Sequence, residues 1–339
     1  MRDHTRYIII LLLLLTAGCI HKDAIDTPSV RAAASLRSLL TNNFSFSMFY
    51  EAMRKAGVDT LLDNEASGYT LLIPDNGAFE RSGITPDSLR KMLPEAIRKM
   101  VLYHVVPGKV SSTGIPQTLN YPFVTLGEKS VFTSTTVLDT NLYVNGIAVV
   151  KKNIAARNGV IHALKEVLTV PAGSVQEILA GNPHYSCLVA GLKKFGYWEA
   201  LATQPSQVIL APTNEAFAMH HWEEKDINNM KTTDYKKLVF GSYVMNQVFF
   251  FTNDVRMAPP QGPFLQGEVL LFVERANTGE GIRIKVMPLN YRDPEFGLRI
   301  IFYGDWVNIP YSRPGQQAVN GIVHQVDQLP VVPDSALIR

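Results

Sequence analysis

The feature that most limits what this chain can fold into is an internal repeat. Tyr69-Thr70-Leu71-Leu72-Ile73-Pro74-Asp75-Asn76-Gly77-Ala78-Phe79 returns as Gln207-Val208-Ile209-Leu210-Ala211-Pro212-Thr213-Asn214-Glu215-Ala216-Phe217, with Pro212 lying 138 positions after Pro74. Asn158-Gly159-Val160-Ile161-His162 returns as Asn320-Gly321-Ile322-Val323-His324, at a separation of 162. Between these anchors Tyr103 and Tyr243 stand 140 apart, so the second copy carries an insertion of 22 residues (162 less 140) after Tyr243. Two related modules in tandem follow, and 339 residues is the right length for two domains. The insertion belongs in a surface loop or added hairpin, where function often resides.

Each anchor has a physical meaning. Leu71–Ile73 and Val208–Leu210 are short apolar strands ended by proline. Asp75-Asn76-Gly77 and Thr213-Asn214 supply turn and helix N-cap chemistry, and Ala-Phe opens a helix whose ring can pack back on the core. Upstream, Leu36, Leu39, Leu40, Phe49, Met53 and Ala56 recur at helical spacing before Gly57. Val175, Ile178, Leu179, Leu188, Gly191, Leu192 and Gly196 repeat the pattern. Val131–Thr136 and Leu142–Lys151 read as strands, with Asp139-Thr140-Asn141 or Asn145-Gly146 as turn candidates. Helices followed by strands in each unit give an α+β class with a mostly antiparallel or mixed sheet.

Composition narrows function by exclusion. With 32 Lys+Arg against 30 Asp+Glu, the formal charge is +2, and the charges are scattered. That argues against a nucleic-acid partner, which would call for a basic stripe. No nucleophile elbow, dinucleotide fingerprint or phosphate-binding glycine loop occurs. His220-His221-Trp222-Glu223-Glu224 is the densest group of potential ligands, but adjacent histidines point in different directions, whereas a helical zinc pair needs i and i+4. No catalytic residue, metal or cofactor is therefore assigned.

The strand-Pro-X-Asn-X-Ala-Phe element, Leu102-Tyr103-His104-Val105-Val106-Pro107-Gly108 and Asn-Gly-Val-Ile-His together resemble the fasciclin-like repeat family, twice over. The resemblance runs over 35–171 and 172–333, with 334–339 as a C-terminal tail. It implies two wedge-like β-sandwiches with packed helices. It also implies a noncatalytic adhesion or binding module directed at a protein or polysaccharide. In some animal members the Tyr-His pair matching Tyr103-His104 is linked to receptor binding, which makes both candidate binding residues here. In the second copy Tyr243 is followed by Val244, so such a site is confined to the first. His162 and His324 occupy matching positions in both units, which points to a role in the fold.

The N-terminus has its own logic. Arg2 and Arg6 precede the apolar run Tyr7–Leu15, too short to span a bilayer and suited to a secretory signal over 1–18. Leu15-Thr16-Ala17-Gly18-Cys19 resembles the lipobox of bacterial lipoproteins, which implies a lipidated Cys19 and anchoring in the cell envelope, at the outer membrane, on either face. Residues 19–34 then form a tether. Loss of Arg2, Asp3 and Arg6 leaves 30 basic against 29 acidic residues, a nearly neutral body. Cys187, in the apolar stretch Tyr185–Ala190, is expected as a buried thiol.

The inserted region supplies the remaining candidates. Strands are expected at Val269–Val273, Ile282–Val286 and Leu298–Tyr303, the first two joined through the glycine-rich Asn277–Gly281. Around them lie Tyr291, Arg292, Phe296, Trp306, Tyr311 and Arg313, aromatic and cationic groups suited to protein or sugar recognition. The functions consistent with all this are a membrane-anchored binding or adhesion lipoprotein, an accessory glycan-capture component of an uptake system, or, third, a hydrolase using acids brought together from distant segments.

Overall fold

A computed structural model describes residues 34–338 apart from 67, 138–139, 237, 248, 258–263, 267, 291–298 and 301–303. The signal segment 1–18, Cys19, the tether up to Ala33, and Tyr291, Arg292 and Phe296 lie outside the described residues. The remaining chain forms one compact unit whose two halves repeat a plan.

In the first half α1 (Leu36–Thr41) and α2 (Ser47–Lys55) lead into β1 (Tyr69–Pro74), then α3 (Asn76–Arg81), α4 (Pro86–Lys91) and α5 (Pro94–Tyr103). Strands β2 (Val105–Pro107), β3 (Tyr121–Val124), β4 (Ser130–Ser134), β5 (Tyr143–Val144), β6 (Ile147–Ala156) and β7 (Gly159–Leu164) complete a seven-stranded sheet in the order β2-β1-β7-β6-β5-β4-β3. Only β1 and β7 pair in parallel, so the sheet is mixed, and the class is α+β. The Asn145-Gly146 turn forms as its dipeptide predicts, with φ of 48° and 73°.

The second half opens with α6 (Val175–Ala180), α7 (Ser186–Lys194), β8 (Gln207–Pro212), α8 (Asn214–Ala218), α9 (Glu224–Asn229) and β9 (Val244–Asn246). After α10 (Asp254–Met257) come β10 (Phe264–Gln266), β11 (Val269–Arg275), β12 (Gly281–Asn290), β13 (Arg299–Ile300), β14 (Val307–Pro310), β15 (Gln316–Gln317) and β16 (Gly321–Val326). The described strands divide into a four-stranded sheet, β15-β16-β8-β9, and a five-stranded one built on β11 and β12. The division has a cause. In the first half β6 stays continuous through two register shifts, with Asn153 at φ 58°. In the second, Pro310 and Pro314 bracket the corresponding stretch, and proline cannot donate to a ladder, so β14 and β15 end as separate pieces.

The repeated motif residues are fasteners. Asp75 and Thr213 cap α3 and α8 by accepting from Ala78 N–H and Ala216 N–H at 2.6 and 3.4 Å. Asn76 accepts from Met48 N–H at 3.0 Å and donates to Phe44 O and Ser47 Oγ, tying the start of α2 to the end of β1. Asn214 does the same with Cys187 N–H, Pro183 O and Ser186 Oγ. Phe79 and Phe217 are fully buried. Gly159 and Gly321 face β1 and β8 so closely that a Cβ would stand 2.4 Å from Tyr69 O and 2.3 Å from Gln207 O, which is why both motifs carry glycine.

Candidate functional site

Tyr103 and His104 are both wholly buried, which closes them to direct ligand contact. The Tyr103 hydroxyl receives Asn145 Nδ2–H at 2.8 Å and lies 3.1 Å from Ser130 O and from Gln317 Oε1. Burial raises its pKa, so the phenol stays protonated. His104 donates from Nδ1 to Met100 O at 2.8 Å and accepts Leu168 N–H at Nε2 at 3.0 Å. Both ring nitrogens are spent in a neutral tautomer, and burial pushes the pKa down to about 4 against the weaker opposing pull of Met100 O. The second half explains the pair by contrast. Leu168 corresponds to Pro330, which has no N–H, and His104 corresponds to Val244, which accepts nothing. Donor and acceptor are absent together.

A coupling experiment follows from this. His104→Val should cost about 1–3 kcal/mol in the wild-type background, because Leu168 N–H loses its acceptor in the core. The same change made beside Leu168→Pro should cost measurably less. Equal costs in the two backgrounds, read by urea unfolding, would contradict the pairing.

His162 and His324 are also internal. Each donates from Nε2 at 3.0 Å, to Val110 O and to Phe250 O respectively. His162 Nδ1 accepts Asn153 N–H at 3.4 Å, whereas His324 Nδ1 has no partner among the described residues and faces Gly315, the counterpart of Asn153. Burial lowers both pKa values, that of His324 to about 4. Cys187 is buried, and burial together with Glu224, Glu223, Asp226 and Glu215 raises its thiol to about 11, the opposite of a reactive thiolate.

The described candidates from the inserted region do not form one cluster. Trp306 lies beside β11 and β12, with Phe272 edge-on at 6.3 Å and the Arg283 guanidinium over its ring at 4.5 Å. Arg283 also pairs with Glu274. One ring face of Trp306 is thus occupied within the protein. Tyr311 and Arg313 lie elsewhere, where the two halves meet. Arg256 stacks on Tyr311 at 5.1 Å, and Arg313 pairs with Asp327 at 2.8 Å.

That meeting place holds a network of buried polar contacts among the described residues. Asp254, 1% exposed, accepts from Asn120 Nδ2–H at 2.8 Å and Ser134 Oγ–H at 2.7 Å in the first half, and from Phe251 N–H at 2.7 Å in its own. Burial raises its carboxyl pKa, and the three donors oppose that rise. Asn253 Nδ2–H reaches Gly146 O at 2.7 Å, and Phe132 packs on Phe249 with ring centroids 4.6 Å apart. Gly146 admits the second half, since a Cβ there would stand 2.6 Å from Phe251 Cβ. None of Asn120, Ser134, Asn253 or Asp254 was expected as functional. The only sequence signal is the aromatic run Phe249-Phe250-Phe251 followed by Thr252-Asn253-Asp254, just after Tyr243.

Next to this seam a cleft of about 470 Å³ opens between the halves. Glu166, Thr169 and Ile147 line one side, and Arg313, Pro314 and Gln316 the other. The Glu166 carboxylate, Thr169 hydroxyl and Gln316 amide bond to no other group among the described residues.

Comparison with known proteins places these observations. Residues 44–171 match the fasciclin domain family. Transforming growth factor-beta-induced protein ig-h3 of Sus scrofa is 27% identical over 205 residues, 60% of this chain and 29% of that protein, so the chain spans under a third of that relative's length. Protein sll1483 of Synechocystis sp. is 31% identical over 145 residues, 41% of this chain and 76% of that protein. Among solved structures, a FAS1 domain pair from the insect cell adhesion molecule fasciclin I is similar at 17% identity and a TM-score of 0.39, covering 87% of this chain and 100% of that one. The match over 44–171 and the relative covered to 76% show that the chain belongs to the fasciclin family, and its second half repeats the plan of the matched first.

Proposed function

We propose that this protein is a noncatalytic binding and adhesion lipoprotein of the bacterial cell envelope, held at the outer membrane by lipid on Cys19. The observation that carries the reading is the fate of the histidines and tyrosine most suggestive of chemistry. His104, His162, His324 and Tyr103 are buried and hydrogen-bonded to the fold. What the paired domains offer outward is surface and an interdomain cleft. Membership of the fasciclin family, whose resemblance implies an adhesion or binding module, is in keeping with this role. Among the described residues no helix is long and apolar enough to cross a membrane. The lipid anchor proposed here is argued from the lipobox-like segment Leu15–Cys19. Stable anchoring is within reach of two or more acyl chains, at about 0.8 kcal/mol per buried methylene.

Two measurements test this reading. Cys19→Ala should abolish incorporation of labelled palmitate and prevent cleavage of the leader, and retained label would refute the anchor. Cells displaying the wild-type protein should adhere to a surface of matrix proteins or glycans more strongly than cells lacking it. Equal adhesion across a broad panel would refute the binding role. The accessory glycan-capture reading is favoured by one observation, the uncommitted polar groups of the cleft.

A further inference from the structure

We propose that the cleft between the two domains binds a neutral oligosaccharide segment. The proposal deepens the binding reading above and rests on it. The cleft's size, about 470 Å³, lies within the range of small-molecule sites. Its lining carries one acid, Glu166, and one guanidinium, Arg313, too few charges of either sign to gather a polyanion or a polycation. Arg313 is already neutralised by Asp327 at 2.8 Å.

The remaining polar heads suit hydroxyl groups. A carboxylate offers two acceptors, an amide a donor and an acceptor side by side, and a threonine hydroxyl both roles. Adjacent hydroxyls on a sugar ring match such bidentate groups, and Glu166, Gln316 and Thr169 have no competing partner among the described residues. Ile147 and Pro314, both half-buried, supply apolar faces from opposite domains, as the C–H faces of a pyranose require. A peptide is the weaker fit. Besides half-buried Ile147 and Pro314, the apolar side chains of the lining are closed, with Phe251, Val323 and Val167 1%, 2% and 9% exposed, and so form no deep pocket for an anchoring side chain. The seam at Asp254 holds the two walls at a set spacing, which lowers the ordering cost of binding.

The test is calorimetric titration of the full-length protein, in a polyoxyethylene detergent, with isomaltotriose, mannotriose, xylotriose and galactotriose, and with trigalacturonate as the anionic control. At least one neutral trisaccharide should bind with a stoichiometry of one. Glu166→Gln and Gln316→Ala should each weaken that binding by about tenfold, equivalent to 1.4 kcal/mol. Lys129→Ala, at an exposed site outside the cleft, should leave it unchanged. Unaltered thermal melting would establish that the variants fold. The proposal is overturned if no neutral trisaccharide binds, if binding ignores both cleft variants, or if trigalacturonate binds better. Cell adhesion that survives both variants and resists competition by these sugars would remove the cleft proposal and leave the adhesion role standing. Loss of adhesion by the wild type would remove the broader reading instead.

Discussion

Asn158→Ala should destabilise the first domain by about 3–4 kcal/mol, one of the two largest effects expected of this protein. Asn158 is fully buried; its Oδ1 accepts Leu36 N–H at 2.8 Å, and its Nδ2 donates to Leu62 O at 2.8 Å and Asn64 O at 3.1 Å. One amide thereby closes the start of α1, the chain leading to β1 and the entry to β7. Removing it strands a buried donor, Leu36 N–H, and a buried acceptor, Leu62 O, each costing about 1–3 kcal/mol when unpaired, and loosens the partly buried Asn64 O. Asn320 makes the corresponding contacts with Val175 N–H, Leu201 O and Gln204 O, but these are partly exposed. Water can replace them, so Asn320→Ala should cost about 1–2 kcal/mol. Chemical denaturation of both variants decides the matter; an equal or reversed order would contradict the burial argument.

The second large effect is loss of stability in mild acid. His104 and His324 have folded pKa values near 4, below the ordinary 6.5. Depressed values mean that the neutral rings favour the fold above pH 6.5, and that this contribution is lost as the pH falls toward 4. Between pH 7 and 5 each histidine should remove about 2 kcal/mol, and they act in different domains. His162, shifted the same way, adds to the loss in the first. Asp254 works in the opposite sense. Its pKa is raised, so its protonation on acidification favours the folded state. The histidines win because three of them oppose one carboxyl that also keeps three donors. Urea midpoints at pH 7 and pH 5 test this. A midpoint that is flat or rises toward pH 5 would contradict it, and His104→Gln should lessen the shift in midpoint between the two pH values.

Much of this architecture was legible in the chain. The Pro-X-Asn-X-Ala-Phe and Asn-Gly-X-X-His elements announce themselves because their functions are local. A cap, a turn and a close backbone approach each demand a particular residue at a particular place, as Asp75, Asn145-Gly146 and Gly159 do. The same logic located the insertion. It could not say that Tyr103 and His104 point inward, because an amphipathic side chain is equally at home in a binding face or a satisfied core. What fixes His104 in the core is a partner 64 residues away, Leu168 N–H, whose counterpart at Pro330 is lacking.

The sequence by itself determined the two-module plan, its α+β class and the residues that fasten each module, since these rest on short-range periodicity and on repetition. Only the tertiary structure decided where the modules touch. Asp254 meets Asn120 and Ser134 across 134 and 120 positions, and Gln317 meets Tyr103 across 214. No local pattern encodes such pairings, because the groups are ordinary polar side chains whose value arises when folding removes them from water together. The cleft beside them has the same origin, with Glu166 and Gln316 brought to opposite walls by the packing of one domain on the other.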